Sequence, residues 1–223
     1  MNKITAVIFD LDGTLLNTLD DLTAAIDYAL EATGFFAPLD SGTVRRLVGN
    51  GVPKLVERAL KLCGDESLSR FDECLARFTE YYGEHSADKT ALYDGVAEML
   101  DGVKARGIKT AVVTNKYDEA AQALKKRMFD CVDYVVGARE GVPPKPDPTG
   151  ERLALDALGS DKEHAVHVGD GEVDILTARN AGLPVVAVTW GFRDRGELER
   201  LAPDYIIDKP SELLTLIEKI GKV

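Results

Sequence analysis

Apolar positions along this chain fall into two alternating patterns. Short runs rich in β-branched residues recur at 4–10, 109–115, 134–137, 165–170, 184–189 and 205–208. Most are nearly continuously apolar, the pattern of parallel strands covered on both faces. Between them the spacing turns helical. Residues 95–106 keep that period and stop at Gly107, and 172–181 keep it and stop at Gly182, with Pro184 beyond. A last helix is expected at 211–220, its acidic residues forming a solvated face. Strands alternating with helices predict an α/β fold, a doubly wound Rossmann-like parallel sheet.

From 17 to 88 the alternation breaks and only helical patterns remain. Thr18 is placed to cap a helix running to Thr33, with Asp20 and Asp21 in its first turn and Gly34 past its end. Further helices are expected at 43–48, 53–62 and 68–83, with Pro53 at a favoured first-turn position. The predicted division is therefore a core of 1–16 and 89–223 and an inserted all-helical cap of 17–88. Inserted after the first strand, the cap is expected to cover the crevice where open α/β sheets bind ligands, hinging at 16–18 and 86–90.

Composition narrows the partners. The 223 residues suffice for a core domain with a smaller insert, and 45% hydrophobic with 29% charged residues is ordinary for a globular protein. Against 38 Asp and Glu stand 27 Lys and Arg, a net charge of −11. Such a balance argues against nucleic acid or an anionic membrane as partner. It also means that a site for an anionic substrate must bring its own positive charge. Cys63, Cys74 and Cys131 have no CxxC spacing, so neither a disulfide framework nor a zinc site is indicated, and free thiols in a reducing cytoplasm are expected. No apolar run approaches the ~18 residues of a membrane span, and Asp10 comes too early for a signal peptide.

Chemistry concentrates at the predicted strand ends. The first strand ends at Asp10-Leu11-Asp12-Gly13-Thr14, the second at Thr114-Asn115-Lys116, and a later one at Gly169-Asp170, with Asp174 one helical turn on. Lys145 sits among Pro143, Pro144, Pro146 and Pro148, which restrict the backbone around its ammonium. Taken singly these are a turn, a cap, a strand end and a solvated loop. Together they put four carboxylates on one sheet edge, where they repel one another unless a cation is present. An all-oxygen ligand set favours Mg²⁺ over zinc or calcium. A carboxylate nucleophile, Mg²⁺, a lysine and a hydroxyl donor suit phosphoryl transfer.

The run Asp10-Leu11-Asp12-Gly13-Thr14-Leu15, with Thr114-Asn115-Lys116, Lys145-Pro146-Asp147-Pro148 and Gly169-Asp170…Asp174, resembles the four motifs of the haloacid dehalogenase-like hydrolase superfamily. The resemblance spans essentially the whole chain. It implies that Asp10 is the nucleophile that becomes an aspartyl-phosphate, and that Asp12 protonates the leaving oxygen and then activates water. Thr114 and Asn115 would bind the phosphoryl group, and Lys145 would neutralise it. Asp10, the backbone carbonyl of Asp12 and Asp170 would hold Mg²⁺, with Asp174 a ligand directly or through water; calcium, larger and more loosely coordinated, is expected to inhibit. Gly171 stands where many relatives carry Ser or Thr, so one hydroxyl near the metal shell is missing.

Dehalogenation needs neither the second acid nor the metal cage, so phosphate esters are the expected substrates. Leu47-Val48-Gly49-Asn50-Gly51, with Tyr81-Tyr82-Gly83-Glu84-His85, resembles the phosphoglycolate phosphatase branch. That implies hydrolysis of 2-phosphoglycolate, with Gly49, Asn50 and Gly51, and Arg45 beside them, meeting its carboxylate. Structurally the same loop reads as a glycine-rich helix connection in which Asn50 supplies an unusual backbone angle. A broad sugar-phosphate phosphatase, a pyrophosphatase, a β-phosphoglucomutase and a non-catalytic binding module are the alternatives. His85, His164 and His167 lack ligand spacing, and His167 reads as a satisfied core imidazole. Trp190 and Phe192 read as packing residues.

Overall fold

The computed structural model describes residues 3–36 and 38–220. The chain divides into two compact units, Met1–Leu16 with Leu92–Val223, and Asn17–Ala91. Positions 1–2 and 221–223 of the expected core lie outside the described residues.

In chain order the elements are β1 (Ala6–Phe9), β2 (Leu16–Asn17), α1 (Leu19–Ala32), α2 (Ser41–Leu47), α3 (Val52–Leu62), α4 (Phe71–His85), β3 (Ala91–Leu92), α5 (Val96–Ala105), β4 (Lys109–Tyr117), α6 (Asp118–Met128), β5 (Tyr134–Ala138), α7 (Thr149–Leu158), β6 (Ala165–Gly169), α8 (Glu172–Ala181), β7 (Val185–Val188), α9 (Arg195–Leu201), β8 (Tyr205–Ile207) and α10 (Glu212–Ile220).

In the first unit β1 lies at the centre of a six-stranded sheet of order β5-β4-β1-β6-β7-β8, with each neighbouring pair parallel. The chain winds outward from β1 through β4 and β5, then returns to lay β6, β7 and β8 on the other side. The order therefore reverses at β1, and that reversal opens a crevice at the C-terminal strand ends. On one face, Ala6, Ile8, Ala111, Val113, Ala165 and Val185 pack against Ala154, Leu155 and Leu158 of α7 and Ile175 and Ala178 of α8. With β1 enclosed on all sides, any polar residue just past its end is held by a rigid frame.

Among the described residues, the regular structure of the second unit is helical apart from Asn17 of β2 and Ala91 of β3. Leu22, Ala25, Ile26, Ala29 and Leu30 form the buried stripe of α1, at helical spacing, and share a core with Val44, Leu55, Val56, Ala59, Leu60, Phe78 and Tyr82. Its return point comes three residues later than the expected 88/89 boundary. The reason is Asp21, buried in α1. Its carboxylate accepts the Lys89 N–H at 3.0 and 3.1 Å, the Thr90 N–H at 2.9 Å and the Thr90 hydroxyl at 2.7 Å.

Three helix starts differ from expectation. Thr18 precedes α1 but its side chain caps nothing, and its buried hydroxyl has no partner among the described residues. Asn17 Oδ1 accepts the Leu19 N–H instead, at 3.3 Å. The helix expected at 43–48 begins at Ser41, because Asp40 accepts the Thr43 N–H at 2.8 Å. The helix expected from 68 begins at Phe71, because Asp65 accepts the Ser69 and Arg70 N–H groups at 3.0 and 2.9 Å and holds that stretch as a turn. The second strand also runs on to Tyr117, beyond the expected 115. Its pairing with β5 shifts register between Val113 and Tyr117, so Thr114, Asn115 and Lys116 sit in an irregular segment. Such a bulge re-aims side chains next to a site.

Candidate active site

Asp10 is the first residue beyond β1, and its N–H is fixed to the Val168 carbonyl at 2.8 Å. Asp170 is the first residue beyond the neighbouring β6, and Asp174 lies in the first turn of α8. Room for these carboxylates is made by glycines. A Cβ on Gly13 would overlap the Asp170 carboxylate, and one on Gly169 would overlap the Asp174 side chain. Gly13 also adopts φ 93°, which side-chain-bearing residues avoid. Asp170 Oδ2 accepts the Phe192 N–H at 2.6 Å, and Asp174 Oδ2 accepts the Gly171 N–H at 3.1 Å. Phe192, expected only to pack, thus also holds a carboxylate in place.

Lys145 joins the group. Its Nζ lies 2.5 Å from Asp10 Oδ1 and 2.7 Å from Asp174 Oδ1, with all three side chains nearly closed to solvent. Asn115 explains how a loop lysine is held so firmly. Its Oδ1 accepts the Lys145 N–H at 2.7 Å and its Nδ2 donates to the Lys145 carbonyl at 3.1 Å. The side-chain amide of Asn115 therefore grips this loop. Thr114 Oγ1 accepts the Lys116 N–H at 3.1 Å.

A second lysine, not singled out by sequence reasoning, completes the set. Lys116 Nζ donates to Asp12 Oδ1 at 3.0 Å, from a side chain only 5% exposed. Its partner is 104 residues away in sequence, and the two meet beyond the paired stretch of the neighbouring strands β1 and β4.

Burial and repulsion dominate the electrostatics. Asp10 is pushed up to about 7 by burial and by Asp174, despite Lys145. Burial and the neighbouring Asp174 and Asp10 hold Asp170 well above the usual carboxylate range. Asp174 moves the other way: burial would raise it, but Lys145 and His167 outweigh that and lower it. Burial alone would depress Lys145, yet Asp10 and Asp174 raise it. One carboxylate oxygen from each of Asp10, Asp170 and Asp174 lies within 4.8 Å of the others. With Asp12, four carboxylates face two ammonium groups, a formal shortfall of two positive charges. The donor set and the shortfall both fit a hard divalent cation.

The residues assigned to the cap lie in the second unit. Gly49, Asn50 and Gly51 have φ of 129°, 65° and 86°, so the unusual angle expected at Asn50 is present in all three. Arg58, which sequence reasoning passed over, organises them from α3. It donates to the carbonyls of Leu47 at 2.7 Å and Gly49 at 3.1 Å, and to Asn50 Oδ1 at 3.0 Å. Arg45 lies in the last turn of α2. His85 stacks on Tyr81, which stacks on Tyr28, and its Nδ1 meets Asp88 at 2.8 Å. His164 is paired with Asp161.

His167 departs from expectation. It is fully buried, but not satisfied. Its Nδ1 lies 3.1 Å from Glu151 Oε1 and its Nε2 lies 3.6 Å from Asp174 Oδ1, yet neither ring nitrogen nor either Glu151 oxygen has an aligned hydrogen bond among the described residues. Burial disfavours its charged form, but Glu151 and Asp174 prevail and raise it to about 9.

The family model for haloacid dehalogenase-like hydrolases matches residues 4–182. This chain belongs to that family of enzymes. A phosphoglycolate phosphatase of Rhodospirillum rubrum is 40% identical over 197 residues, covering 84% of this chain and 80% of the relative. Further relatives at 31–35% identity carry the same name. At 31% identity over 226 residues, covering 97% of this chain and 96% of the relative, stands an N-acetylmuramic acid 6-phosphate phosphatase of Pseudomonas aeruginosa. A crystal structure from Lactobacillus delbrueckii subsp. bulgaricus superposes with a TM-score of 0.92 at 33% identity, over 96% of this chain and 98% of that one. No helix of the described residues is long and apolar enough to cross a membrane.

Proposed function

We propose that this enzyme is a Mg²⁺-dependent phosphatase of small phosphate monoesters that works through an aspartyl-phosphate on Asp10, with 2-phosphoglycolate as its substrate. The observation that carries the reading is Lys145 bridging Asp10 and Asp174 beside Asp170, a buried acidic cluster short of positive charge.

Asp10, the backbone carbonyl of Asp12, Asp170 and Asp174 would hold the cation. When bound, Mg²⁺ neutralises phosphoryl and carboxylate charge. The remaining chemistry belongs to this chain's own side chains. A carboxylate oxygen of Asp10 attacks phosphorus while Asp12 gives its proton to the departing alkoxide oxygen. Water then attacks the aspartyl-phosphate and loses a proton to Asp12, which frees phosphate and restores Asp10. Lys145 favours the ionised form of Asp10 against burial and Asp174, and orients it. Thr114 offers a hydroxyl to a phosphoryl oxygen, Asn115 fixes Lys145, and Lys116 holds the Asp12 carboxylate. In the cap, Gly49, Asn50, Gly51 and Arg45 would read the substrate carboxylate, supported by the names of the relatives. An acidic chain in a reducing cytoplasm acting on a small metabolite fits the same reading.

The test is phosphate release with Mg²⁺ from 2-phosphoglycolate, β-glucose 1-phosphate, N-acetylmuramic acid 6-phosphate, pyrophosphate and p-nitrophenyl phosphate. Asp10→Asn should lower turnover by about 10⁶-fold, as loss of a covalent nucleophile does. Preference for 2-phosphoglycolate supports the substrate. Activity centred on a sugar phosphate keeps the mechanism and replaces the substrate, and an active Asp10→Asn protein overturns the mechanism.

A further inference from the structure

The interior of the first unit contains a histidine and a glutamate, side by side, that the proposed reaction does not use. His167 is the third residue of β6, in register with Ile8 on one side and Val185 on the other. Glu151 is in the first turn of α7. Both are completely closed to solvent. The hydrophobic cluster on this face of the sheet and its helices has Ala, Val, Ile and Leu as its buried members. Taking an imidazole and a carboxylate out of water is costly, and well-packed apolar residues of similar size usually serve stability as well or better. A core needs no such pair.

Position suggests what the pair serves. The imidazole lies between Glu151 and Asp174, at 3.1 and 3.6 Å. Asp174 Oδ1 is also the atom that Lys145 holds at 2.7 Å, while Lys145 is shared with Asp10. Asp174 Oδ2 is fixed by Gly171 N–H. The approach of the imidazole to Oδ1 comes from within the core, on the strand that also carries Gly169, against which the Asp174 side chain is packed. A line of alternating acidic and basic side chains thus runs from the interior to the nucleophile: Glu151, His167, Asp174, Lys145, Asp10.

We infer that Glu151 and His167 are positioning residues for Asp174, a prop that sets where its carboxylate stands in the acidic cluster and so how tightly the cluster holds a divalent cation. The inference rests on the cation-dependent reading above. Partners behind a ligand usually govern affinity by about 10–100-fold, and the same range is expected here. Gly171, without a hydroxyl, leaves more of that orienting task to the interior.

The experiment measures Mn²⁺ binding to the full chain by the electron paramagnetic resonance signal of the free ion, with no turnover involved. Melting temperature in chelator is read in parallel. The proteins are wild type, Asp170→Asn, and the double variant Glu151→Leu with His167→Phe. The expected result is a double variant that melts at or above wild type in chelator yet binds Mn²⁺ about tenfold or more weakly. Equal binding by the double variant, with Asp170→Asn impaired, overturns the prop and leaves the cation site standing. Equal, negligible binding by wild type and Asp170→Asn overturns the cation site and the prop with it. If the double variant does not fold, the size-matched Glu151→Gln decides: weaker Mn²⁺ binding supports the prop and unchanged binding overturns it.

Discussion

At the strand ends of the first unit, Asp10, Lys145, Asp170 and Asp174 each have a firm partner in the rigid frame or in one another. In the second unit, the 49–51 loop carries three successive positive φ angles and is gathered by one guanidinium, that of Arg58. The first arrangement fixes charge in a buried place, where position decides reactivity. The second holds backbone shape at a surface with few bonds, the kind of segment that tolerates change. A fixed reaction centre suits the first plan, and the substrate choice proposed for the loop would suit the second.

That contrast can be broken at graded cost. Lys145→Met should do most damage, leaving Asp10 and Asp174 buried with no ammonium between them. In chelator it should lose about 3–5 kcal/mol in urea unfolding, and added Mg²⁺ should return part of the loss.

The pH profile of the metal-free protein comes next. Asp10 is raised from 3.8 to about 7 and Asp170 is raised too, so the folded state holds protons that the unfolded chain has lost. Stability from these groups is fully present below the unfolded pKa and disappears as pH rises through the folded one. His167, raised from 6.5 to about 9, loses its share as pH climbs further. Asp174, lowered, acts in the opposite sense and only in acid, below its unfolded value of 3.8. The melting temperature in chelator should therefore fall steadily from pH 4 to pH 9, and a flat or rising profile would contradict the charge shortfall.

In the second unit the effects should be smaller. Asp21→Ala strands the Lys89 and Thr90 donors and should cost about 2–3 kcal/mol by denaturant unfolding. Arg58→Met should cost only about 1 kcal/mol, but it should raise KM for 2-phosphoglycolate while sparing p-nitrophenyl phosphate. A uniform loss on both esters would mean that the loop does not discriminate.

Much of the first unit was legible because its signals are local. An apolar run ending in Asp10, or a glycine followed by Asp170, declares a strand end with a carboxylate on it. The helix 172–181 was placed to the residue by its Gly182 stop. What escaped depends on meetings across the fold. Lys116 reads as the tail of a strand until the pairing of β4 beside β1 brings it to Asp12. Glu151 looks like any first-turn acid, and His167 like any strand residue, because neither helix period nor strand alternation records which helix lies over which strand. Thr18 was a plausible cap, displaced because Asn17, one residue earlier, reached the helix N-terminus with its own oxygen.

The pairing of β2 with β3 has a consequence for how such a chain changes over generations. Where the helical insert leaves and rejoins the first unit, the two ends form a two-stranded ladder, and neighbouring strands stand about 4.8 Å apart. Seen from the sheet, everything between them is one closed loop. Lengthening a closed loop is cheap, since each doubling adds about 0.6 kcal/mol of closure entropy. The insert can therefore be shortened, extended or exchanged while β1 keeps its register, so the sheet can be inherited intact while the helices between its first two strands are rewritten.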